Sequence, residues 1–172
     1  MKKRLVVIGS GMAGGKLIEE LLAQSQDWDI AVVGEENVGN YNRIKLLYKL
    51  LRDDVEEFFL NDETWYHSRG VKTILGVRAE RVDTENRRVI LSNGQNLDYD
   101  ACVLATGSRP FVPQVPGLEL EGVGVLRNLD DVARVKKWLA GRTDVMVVGG
   151  GLLGLELALI LKSLGKRITV SH

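Results

Sequence analysis

The chain has 172 residues, of which 45% are hydrophobic and 27% are charged, a composition typical of a globular protein. Its length is sufficient for one full hydrophobic core or for one and a half small ones. Its 23 Lys and Arg balance its 23 Asp and Glu, which removes any electrostatic case for nucleic acid or an anionic membrane as a partner. No apolar run approaches the roughly 20 residues of a membrane span, and the apolar stretch 5–8 is too short for a signal peptide. We therefore expect a cytoplasmic protein.

The first part of the chain predicts a strand–helix–strand unit. Residues 4–8 are an apolar run that ends in glycine, which is typical of a buried parallel strand. Residues 12–23 carry apolar side chains close to helical spacing, and residues 29–33 form a second apolar run. The pattern then predicts helices over 44–51 and 62–69, strands over 71–75, 78–83 and 87–91, a turn at Asn93-Gly94 leading into 96–99, and a buried strand over 100–105.

The rest of the chain predicts a boundary and a second unit of the same kind. Residues 107–124 hold all three prolines and several glycines, so this segment is the best linker in the chain. A helix over 129–139, a strand over 144–148, a helix over 152–164 and a strand over 167–170 follow it. We therefore predict a first domain over residues 1–112, a linker over 113–123 and a second domain over 124–172.

Two glycine-rich loops occupy matching places in the two units. They contain Gly9, Gly11 and Gly14, and Gly149, Gly151 and Gly154. In such a loop the first glycine permits a tight turn, the second lets a pyrophosphate approach the backbone, and the third lets the helix pack on the strand. The phosphates then lie against free N–H groups at the positive end of the helix. Because both loops follow a predicted strand and open a predicted helix, the sequence predicts two dinucleotide sites.

The residues that end the second strand of each unit differ. Glu35 stands 21 residues after Gly14, where a carboxylate can accept hydrogen bonds from both hydroxyls of a ribose. The corresponding place in the second unit falls at His172, which is compatible with a 2′-hydroxyl or a 2′-phosphate. The predicted fold is α/β: a Rossmann-like domain with a parallel sheet and a small antiparallel hairpin, followed by the first βαβ unit of a second Rossmann-like domain.

Three further stretches carry a family resemblance. They are Tyr41-Asn42-Arg43-Ile44-Lys45-Leu46, Ala105-Thr106-Gly107-Ser108-Arg109-Pro110, and Val147-Val148-Gly149-Gly150-Gly151-Leu152-Leu153-Gly154-Leu155-Glu156. With the glycine loops, they make the chain resemble the flavoproteins that bind two dinucleotides, a family that includes glutathione reductase, rubredoxin and ferredoxin reductases, and NADH oxidases. Within it, the chain is most similar to the N-terminal flavin region of the large subunit of NAD(P)H-dependent nitrite reductase.

The resemblance implies FAD in the first domain and NAD(P)H in the second. It implies an oxidoreductase in which NAD(P)H passes hydride to FAD and electrons move on to a downstream acceptor domain or protein, with nitrite as the final acceptor. The alternatives are a rubredoxin or ferredoxin reductase, an NADH oxidase-like flavoprotein, or a non-catalytic dinucleotide-binding module. No side chain is assigned to acid–base catalysis, and no metal site is expected.

The resemblance also assigns roles to individual residues. Contacts to FAD fall on Gly9, Gly11, Met12, Ala13, Gly14, Glu35, Arg43, Ala79, Ala105, Thr106 and Gly107. Contacts to NAD(P)H fall on Gly149, Gly151, Leu152, Leu153, Gly154 and Glu156. Among the first set, the Met12 and Ala13 amides face the pyrophosphate, Glu35 holds the adenosine ribose, and Arg43 lies near the pyrophosphate or ribityl chain. Ala79 lies beside the adenine.

Several positions depart from the family pattern. Asn42 stands where relatives have Asp or Glu before the arginine, and Lys45 and Lys49 are only candidates for the lysine that supports the flavin ring. No cysteine lies between Tyr41 and Leu51, so disulfide reduction is excluded for this chain. The single cysteine, Cys102, lies in an apolar run as a small buried side chain, with a reactive thiol as the alternative.

The length also departs from the family. Relatives return from the NAD(P)H domain to complete the FAD domain with a Gly-Asp segment, which this sequence lacks. We therefore expect a fragment with a truncated second domain. An unfinished sheet leaves strand edges unpaired, so we also expect self-association through residues 124–172.

Overall fold

The computed structural model describes residues 2–172, which divide into two compact units. The first unit comprises residues 2–43 and 57–108, and the second comprises residues 44–56 and 109–172. No helix within residues 2–172 combines the length and the apolar character that a bilayer crossing requires.

The first unit alternates strands with two helices. In chain order these are β1 (Lys3–Ile8), α1 (Met12–Gln24), β2 (Trp28–Gly34), β3 (Asn40–Tyr41), β4 (Phe59–Asn61), α2 (Glu63–His67), β5 (Lys72–Leu75), β6 (Ala79–Asp83), β7 (Arg88–Leu91), β8 (Asn96–Asp98) and β9 (Ala101–Leu104). The main sheet is parallel in the order β5-β2-β1-β9. A separate antiparallel sheet has the order β6-β7-β8.

Strand β1 lies inside the main sheet and is buried on both faces. Its alternate residues enter two core clusters, because successive side chains of a strand point to opposite faces. Leu5 and Val7 pack with Ile18 of α1 and Tyr66 of α2. On the other face Val6 and Ile8 pack with buried residues of β7, namely Val89 and Leu91. The small antiparallel sheet therefore covers the face of the main sheet opposite α1.

The second unit contains a shorter parallel sheet. Its elements are most of a 3-10 helix (Arg43–Leu50), α3 (Leu129–Leu139), β10 (Asp144–Val148), α4 (Leu152–Ser163) and β11 (Arg167–Ser171). Strands β10 and β11 pair in parallel over five residues. Residues 105–128, which include the predicted linker, contain no helix or strand.

The predicted fold class is confirmed, two local predictions need correction, and one strand pair is additional to those predicted. The helix expected over 44–51 is a 3-10 helix that begins at Arg43. The antiparallel pair β3–β4 was not predicted; the Asn42 N–H donates to the Phe58 carbonyl at 2.7 Å, and the Tyr41 and Phe58 rings stack at 5.0 Å. The strand expected to be buried over 100–105 lies at the sheet edge, where Leu104 is 68% exposed.

We expect removal of the Tyr66 hydroxyl to stabilise the protein. Tyr66 is 0% exposed, and its hydroxyl has no hydrogen-bond partner within residues 2–172. A buried unsatisfied polar group costs about 1–3 kcal/mol, so Tyr66→Phe should raise the free energy of unfolding by about 1 kcal/mol in urea denaturation. Tyr41→Phe is the matched control and should lower it, because the Tyr41 hydroxyl donates to Glu36 at 2.7 Å.

The same side chain predicts an alkaline limit to stability. Burial raises the pKa of Tyr66 to about 12, above the value of 10.0 expected in the unfolded chain. Ionisation of this hydroxyl therefore leaves the stability of the fold unchanged below pH 10 and lowers it as the pH rises through about 12, because the unfolded chain ionises first. Urea midpoints at pH 8 and pH 11 should diverge less in Tyr66→Phe than in the parent. An equal fall in both proteins would contradict this account.

Candidate functional site

The first glycine-rich loop joins β1 to α1 by close backbone packing. Gly9 has φ +115°, a conformation that favours glycine, and its N–H donates to the Val33 carbonyl at 2.8 Å. A Cβ on Gly9 would overlap the carbonyl oxygen of Ala105, and a Cβ on Gly14 would overlap the carbonyl oxygen of Gly9. Two of the three motif glycines are thus required by the fold itself.

The middle glycine is different, because nothing lies within 4 Å of the position that its Cβ would occupy. Gly11 is the N-cap of α1, with φ −78° and ψ −172°, a conformation open to any residue. Its carbonyl accepts the Gly15 N–H at 2.9 Å, the first hydrogen bond of the helix. The space in front of Gly11 is therefore available for a ligand to approach the backbone.

The second loop repeats this geometry. Gly149 has φ +112°, and its N–H donates to the Ser171 carbonyl at 2.8 Å. A Cβ on Gly154 would overlap the Gly149 carbonyl oxygen, whereas nothing lies within 4 Å of a Cβ on Gly151. The Leu155 N–H donates to the Gly151 carbonyl at 3.0 Å. The predicted duplication is therefore present in the backbone as well as in the sequence.

The helices that follow these loops have uncompensated N-termini. Neither α1 nor α4 has a side-chain cap or an acidic residue in its first turn. By contrast, the Asp62 carboxylate caps α2 by accepting the Trp65 N–H at 2.7 Å, and Asn128 and Asp131 form a complete capping box on α3. The free N–H groups and positive ends of α1 and α4 can therefore bind an anion such as a pyrophosphate.

Other predicted residues of the first site meet at the carboxyl edge of the main sheet. Glu35 directly follows β2 and is exposed, with no hydrogen bond or ion pair to residues 2–172. Ala79 lies two residues beyond Val77, whose N–H donates to the Gly34 carbonyl at 3.0 Å. Ala105 follows β9, beside the loop, and its N–H donates to the Ile8 carbonyl at 2.7 Å. The carboxyl ends of parallel strands are where such folds bind ligands.

The chain next to Ala105 continues past the same loop. The Thr106 backbone nitrogen lies about 3 Å from where a Cβ on Gly9 would be, and Gly107 follows with φ +72°. Met12 and Ala13, at the start of α1, are exposed beside Gly11. All predicted FAD-site residues belong to the first unit, and all predicted NAD(P)H-site residues belong to the second.

Glu36 is a residue of this region that the sequence reasoning missed. Its carboxylate accepts from the Arg43 guanidinium at 2.6 Å and from the Tyr41 hydroxyl at 2.7 Å. The guanidinium lies 4.8 Å from the centre of the Tyr41 ring, in cation–π contact. Arg43 is therefore held beside the end of β2, and its contact with a pyrophosphate stays a prediction. The available signal was the second acid of the Glu35-Glu36 pair.

The remaining candidates have ordinary surroundings. The Lys45 ammonium donates to the Glu56 carbonyl at 3.0 Å, and the Lys49 ammonium donates to the Asp53 carbonyl. Cys102 is partly buried against the second core cluster, and this burial raises the pKa of its thiol, which disfavours the reactive thiolate. Within residues 2–172, no three His, Cys, Asp or Glu side chains are grouped to hold a metal.

The exposed residues of the second loop complete the predicted set. Leu152 and Leu153, which open the uncapped helix α4, are 84% and 72% exposed. Glu156 lies in the following turn of the same helix and is partly buried.

Two strand–loop–helix units with uncapped helices, each on a parallel sheet, have the arrangement with which Rossmann-like folds bind dinucleotides. Residues 3–172 match the pyridine nucleotide-disulphide oxidoreductase family, and the chain belongs to this family. The predicted family resemblance is therefore confirmed, and the relatives are reductases, which agrees with the predicted class, an NAD(P)H-dependent oxidoreductase. Proteins of this family bind FAD and NAD(P)H, as the sequence analysis expects.

The chain is also similar to individual proteins and solved structures of known activity. The chain is 40% identical to a nitrite reductase [NAD(P)H] of Bacillus subtilis (strain 168), covering 99% of this chain and 22% of the relative. It is 32% identical to the ferredoxin–NAD(+) reductase subunit of the benzene 1,2-dioxygenase system of Pseudomonas putida, covering 99% and 42%. The ferredoxin reductase for the CYP199A2 system of Rhodopseudomonas palustris superposes with a TM-score of 0.89 at 27% identity, covering 98% and 42%. The chain thus spans less than half of each.

Proposed function

We propose that this chain holds FAD in its first unit and NAD(P)H in its second, as part of an enzyme that transfers electrons to a downstream acceptor. The observation that carries the proposal is the open space in front of Gly11 at the uncapped start of α1. A backbone without a side chain, next to free N–H groups, fits a diphosphate. When bound, FAD would accept hydride from NAD(P)H and release electrons singly.

The geometry of the residues around Gly11 supports the proposed first site. Gly11 and the Met12 and Ala13 amides would hold the pyrophosphate, and the exposed Glu35 carboxylate would accept from the adenosine ribose. The side chain of Arg43, oriented by Glu36, would offset phosphate charge. Ala79 would lie beside the adenine, and Ala105, Thr106 and Gly107 would line the flavin side of the site.

The second site follows by repetition of the loop geometry. Gly149, Gly151 and Gly154, with the amides of Leu152 and Leu153, would bind the phosphates of NAD(P)H, and Glu156 would approach the nicotinamide amide.

The domain limits 1–112, 113–123 and 124–172 and the cytoplasmic location are part of the proposal. Limited proteolysis between residues 109 and 128 tests the former, and cell fractionation tests the latter.

Nitrite is the proposed final acceptor, supported by the 40% identity to a nitrite reductase. A ferredoxin is the alternative, supported by the 32% identity to a ferredoxin–NAD(+) reductase subunit. Stopped-flow oxidation of the reduced flavin, in the intact gene product, by a sirohaem acceptor domain or by a ferredoxin distinguishes the two. Faster oxidation by the ferredoxin would favour the alternative.

Colour and bleaching test the enzyme proposal directly. The purified protein, or protein incubated with FAD and desalted, should show flavin absorbance near stoichiometry. Under anaerobic conditions NAD(P)H should bleach that absorbance. A colourless protein that gains no flavin on incubation would contradict the proposal.

A Glu35→Gln variant should bind FAD about 10- to 100-fold more weakly, because the charged acceptor for the ribose hydroxyls is lost. Isothermal titration of the flavin-free protein measures this dissociation constant. Glu20→Gln, on the exposed side of α1 and paired with Lys16, is the matched control and should leave the constant unchanged. Equal constants for the parent and Glu35→Gln would show that this carboxylate does not contact the ribose.

A second candidate function is a non-catalytic module that self-associates. The second unit exposes large apolar side chains on β10 and α4, where Val148 is 74% and Leu159 is 69% exposed. Strands β10 and β11 pair only with each other within residues 2–172. Light scattering after gel filtration should show dimers or larger species that Leu159→Glu dissociates and Lys162→Glu does not. A monomer at high concentration would rule this out.

A further inference from the structure

The chain that leaves β2 is fixed at two points before it reaches Arg43. The Glu36 carbonyl accepts the Gly76 N–H at 3.1 Å, which holds the backbone of Glu36 against the residue that follows β5. Further along, Asn40 is 2% exposed, and its side-chain amide donates to Asn61 Oδ1 at 2.8 Å. The strand pair β3–β4 is therefore joined by a buried side-chain hydrogen bond as well as by its backbone.

This strand pair is anchored on the first turn of α1. A Cβ on Gly15 would overlap the side-chain nitrogen of Asn40, so the amide packs directly against the helix. The Gly15 N–H donates to the Gly11 carbonyl at 2.9 Å, which places Gly15 one helical turn from the open space in front of Gly11. Arg43 follows Asn40 within about 11 Å of extended chain. Arg43 is thus tethered to the helix end that would hold the diphosphate.

Glu36, Tyr41 and Arg43 form a closed cluster of three side chains. The two oxygens of the carboxylate have separate partners, because Oε1 accepts from the Arg43 guanidinium at 2.6 Å and Oε2 accepts from the Tyr41 hydroxyl at 2.7 Å. The cation–π contact of 4.8 Å between Arg43 and Tyr41 joins the other two members. The Tyr41 ring is 3% exposed and stacks on Phe58. The guanidinium is therefore held by two neighbours that are themselves held.

The cluster keeps its cation at the surface. The side chains of Arg43 and Glu36 are 23% and 26% exposed. A guanidinium presents five N–H donors in a rigid plane, a geometry that can serve a carboxylate and a phosphate together. A long side chain normally loses rotamer freedom when it binds a ligand, and that loss weakens binding. In this cluster the ordering precedes the ligand.

We propose that Glu36 and Tyr41 are positioning residues that hold the Arg43 guanidinium ready for the diphosphate of FAD. The inference rests on the proposed FAD site. Charge alone gives the opposite expectation for Glu36, because a carboxylate near a diphosphate repels it and its removal should tighten binding. A positioning role requires that its removal weaken binding, and only while Arg43 is present. The sign of the change therefore decides between the two roles.

The dissociation constant of FAD in single and paired variants, measured by flavin fluorescence quenching, tests the proposal. Arg43→Gln should weaken binding by at least about tenfold, the loss of a charge-assisted hydrogen bond. Glu36→Gln, which keeps the shape of the side chain, should weaken it by about three- to tenfold, although it removes a negative charge. In the Arg43→Gln background, Glu36→Gln should cause no further weakening, within about twofold.

Two more variants complete the set. Tyr41→Phe keeps the ring beside Arg43 and removes one of the two hydrogen bonds to Glu36, so it should weaken binding by about two- to threefold. Glu20→Gln, which removes an exposed acid of α1, is the matched control and should leave the constant unchanged. Urea denaturation of each flavin-free variant reports its stability separately from the binding constants.

The outcomes separate this inference from the function on which it rests. A parent protein that binds no FAD would mean that the first site is wrong, and the inference falls with it. If the parent and Arg43→Gln bind FAD equally well, the site stands and the cluster has no part in it. Tighter or unchanged binding by Glu36→Gln, or equal weakening with and without Arg43, overturns the positioning role alone. Unchanged binding by Tyr41→Phe overturns the part assigned to Tyr41.

Discussion

A Gly11→Val variant should fold as the parent does and lose its FAD. The valine would meet no protein atom within 4 Å of its Cβ, and the φ of −78° and ψ of −172° suit a β-branched residue. Its branches would instead fill the space that the diphosphate needs. The FAD dissociation constant should rise at least about 100-fold, an effect of about 2.7 kcal/mol. The free energy of unfolding of the flavin-free protein should fall by no more than about 1 kcal/mol, the scale of an N-cap substitution.

Gly151→Val is the matched control for this experiment, because the second loop has the same open space. Gly151→Val should leave FAD binding unchanged and abolish NAD(P)H binding. Gly11→Val should weaken FAD binding and leave the binding of ADP-ribose to the second loop unchanged. Flavin fluorescence quenching and calorimetry measure the two constants separately. Retention of FAD by Gly11→Val at parental affinity would place the flavin elsewhere and overturn the proposed site.

Gly14→Ala, in contrast to Gly11→Val, should lower the stability of the folded protein. The added methyl group would overlap the Gly9 carbonyl oxygen, which is backbone fixed by the tight turn and cannot move as a flexible side chain would. We expect a loss of about 3 kcal/mol, at the upper end of overpacking effects, and a fall in Tm of about 10 °C. Circular dichroism melts of the flavin-free protein measure this change.

The comparison with Gly11→Val separates folding from binding within one motif. Gly154→Ala should produce the same loss in the second unit, where the methyl group would overlap the Gly149 carbonyl oxygen. An unchanged Tm in Gly14→Ala would mean that α1 can move away from β1 at little cost. The close approach of helix and strand would then have no structural role.

The periodicity of apolar residues and the spacing of motifs sufficed to predict the helices and strands that depend on local sequence. The predicted strand 144–148 and helix 129–139 coincide with β10 and α3. The short pair β3–β4 could not be predicted, because it forms through contacts across the chain between Tyr41 and Phe58. The 3-10 geometry of Arg43–Leu50 likewise has no signature in its spacing of apolar residues.

The sequence was sufficient to predict the backbone of the candidate site but not the ion pairs and hydrogen bonds of its side chains. The glycine positions follow from the motif, since the turn and the helix contact need those residues. The Glu36–Arg43 ion pair depends on the course of the chain between residues 36 and 43, which the spacing of residues in the sequence does not specify. The hydrogen bond from the Gly150 N–H to His172 Nδ1 likewise depends on where β11 ends beside the second loop.

Because α1 and α4 lack N-terminal caps, the stability of the folded state should depend on the supply of cofactor. A missing cap costs a helix about 1 kcal/mol, and a dinucleotide that satisfies the same amides at 100 times its dissociation constant adds about 2.7 kcal/mol to the folded state. At the proposed sites, each cofactor would therefore act as the missing N-terminal cap of a helix. Protein stripped of its cofactors should therefore melt at a lower temperature, and be cleaved faster by proteases, than the loaded protein.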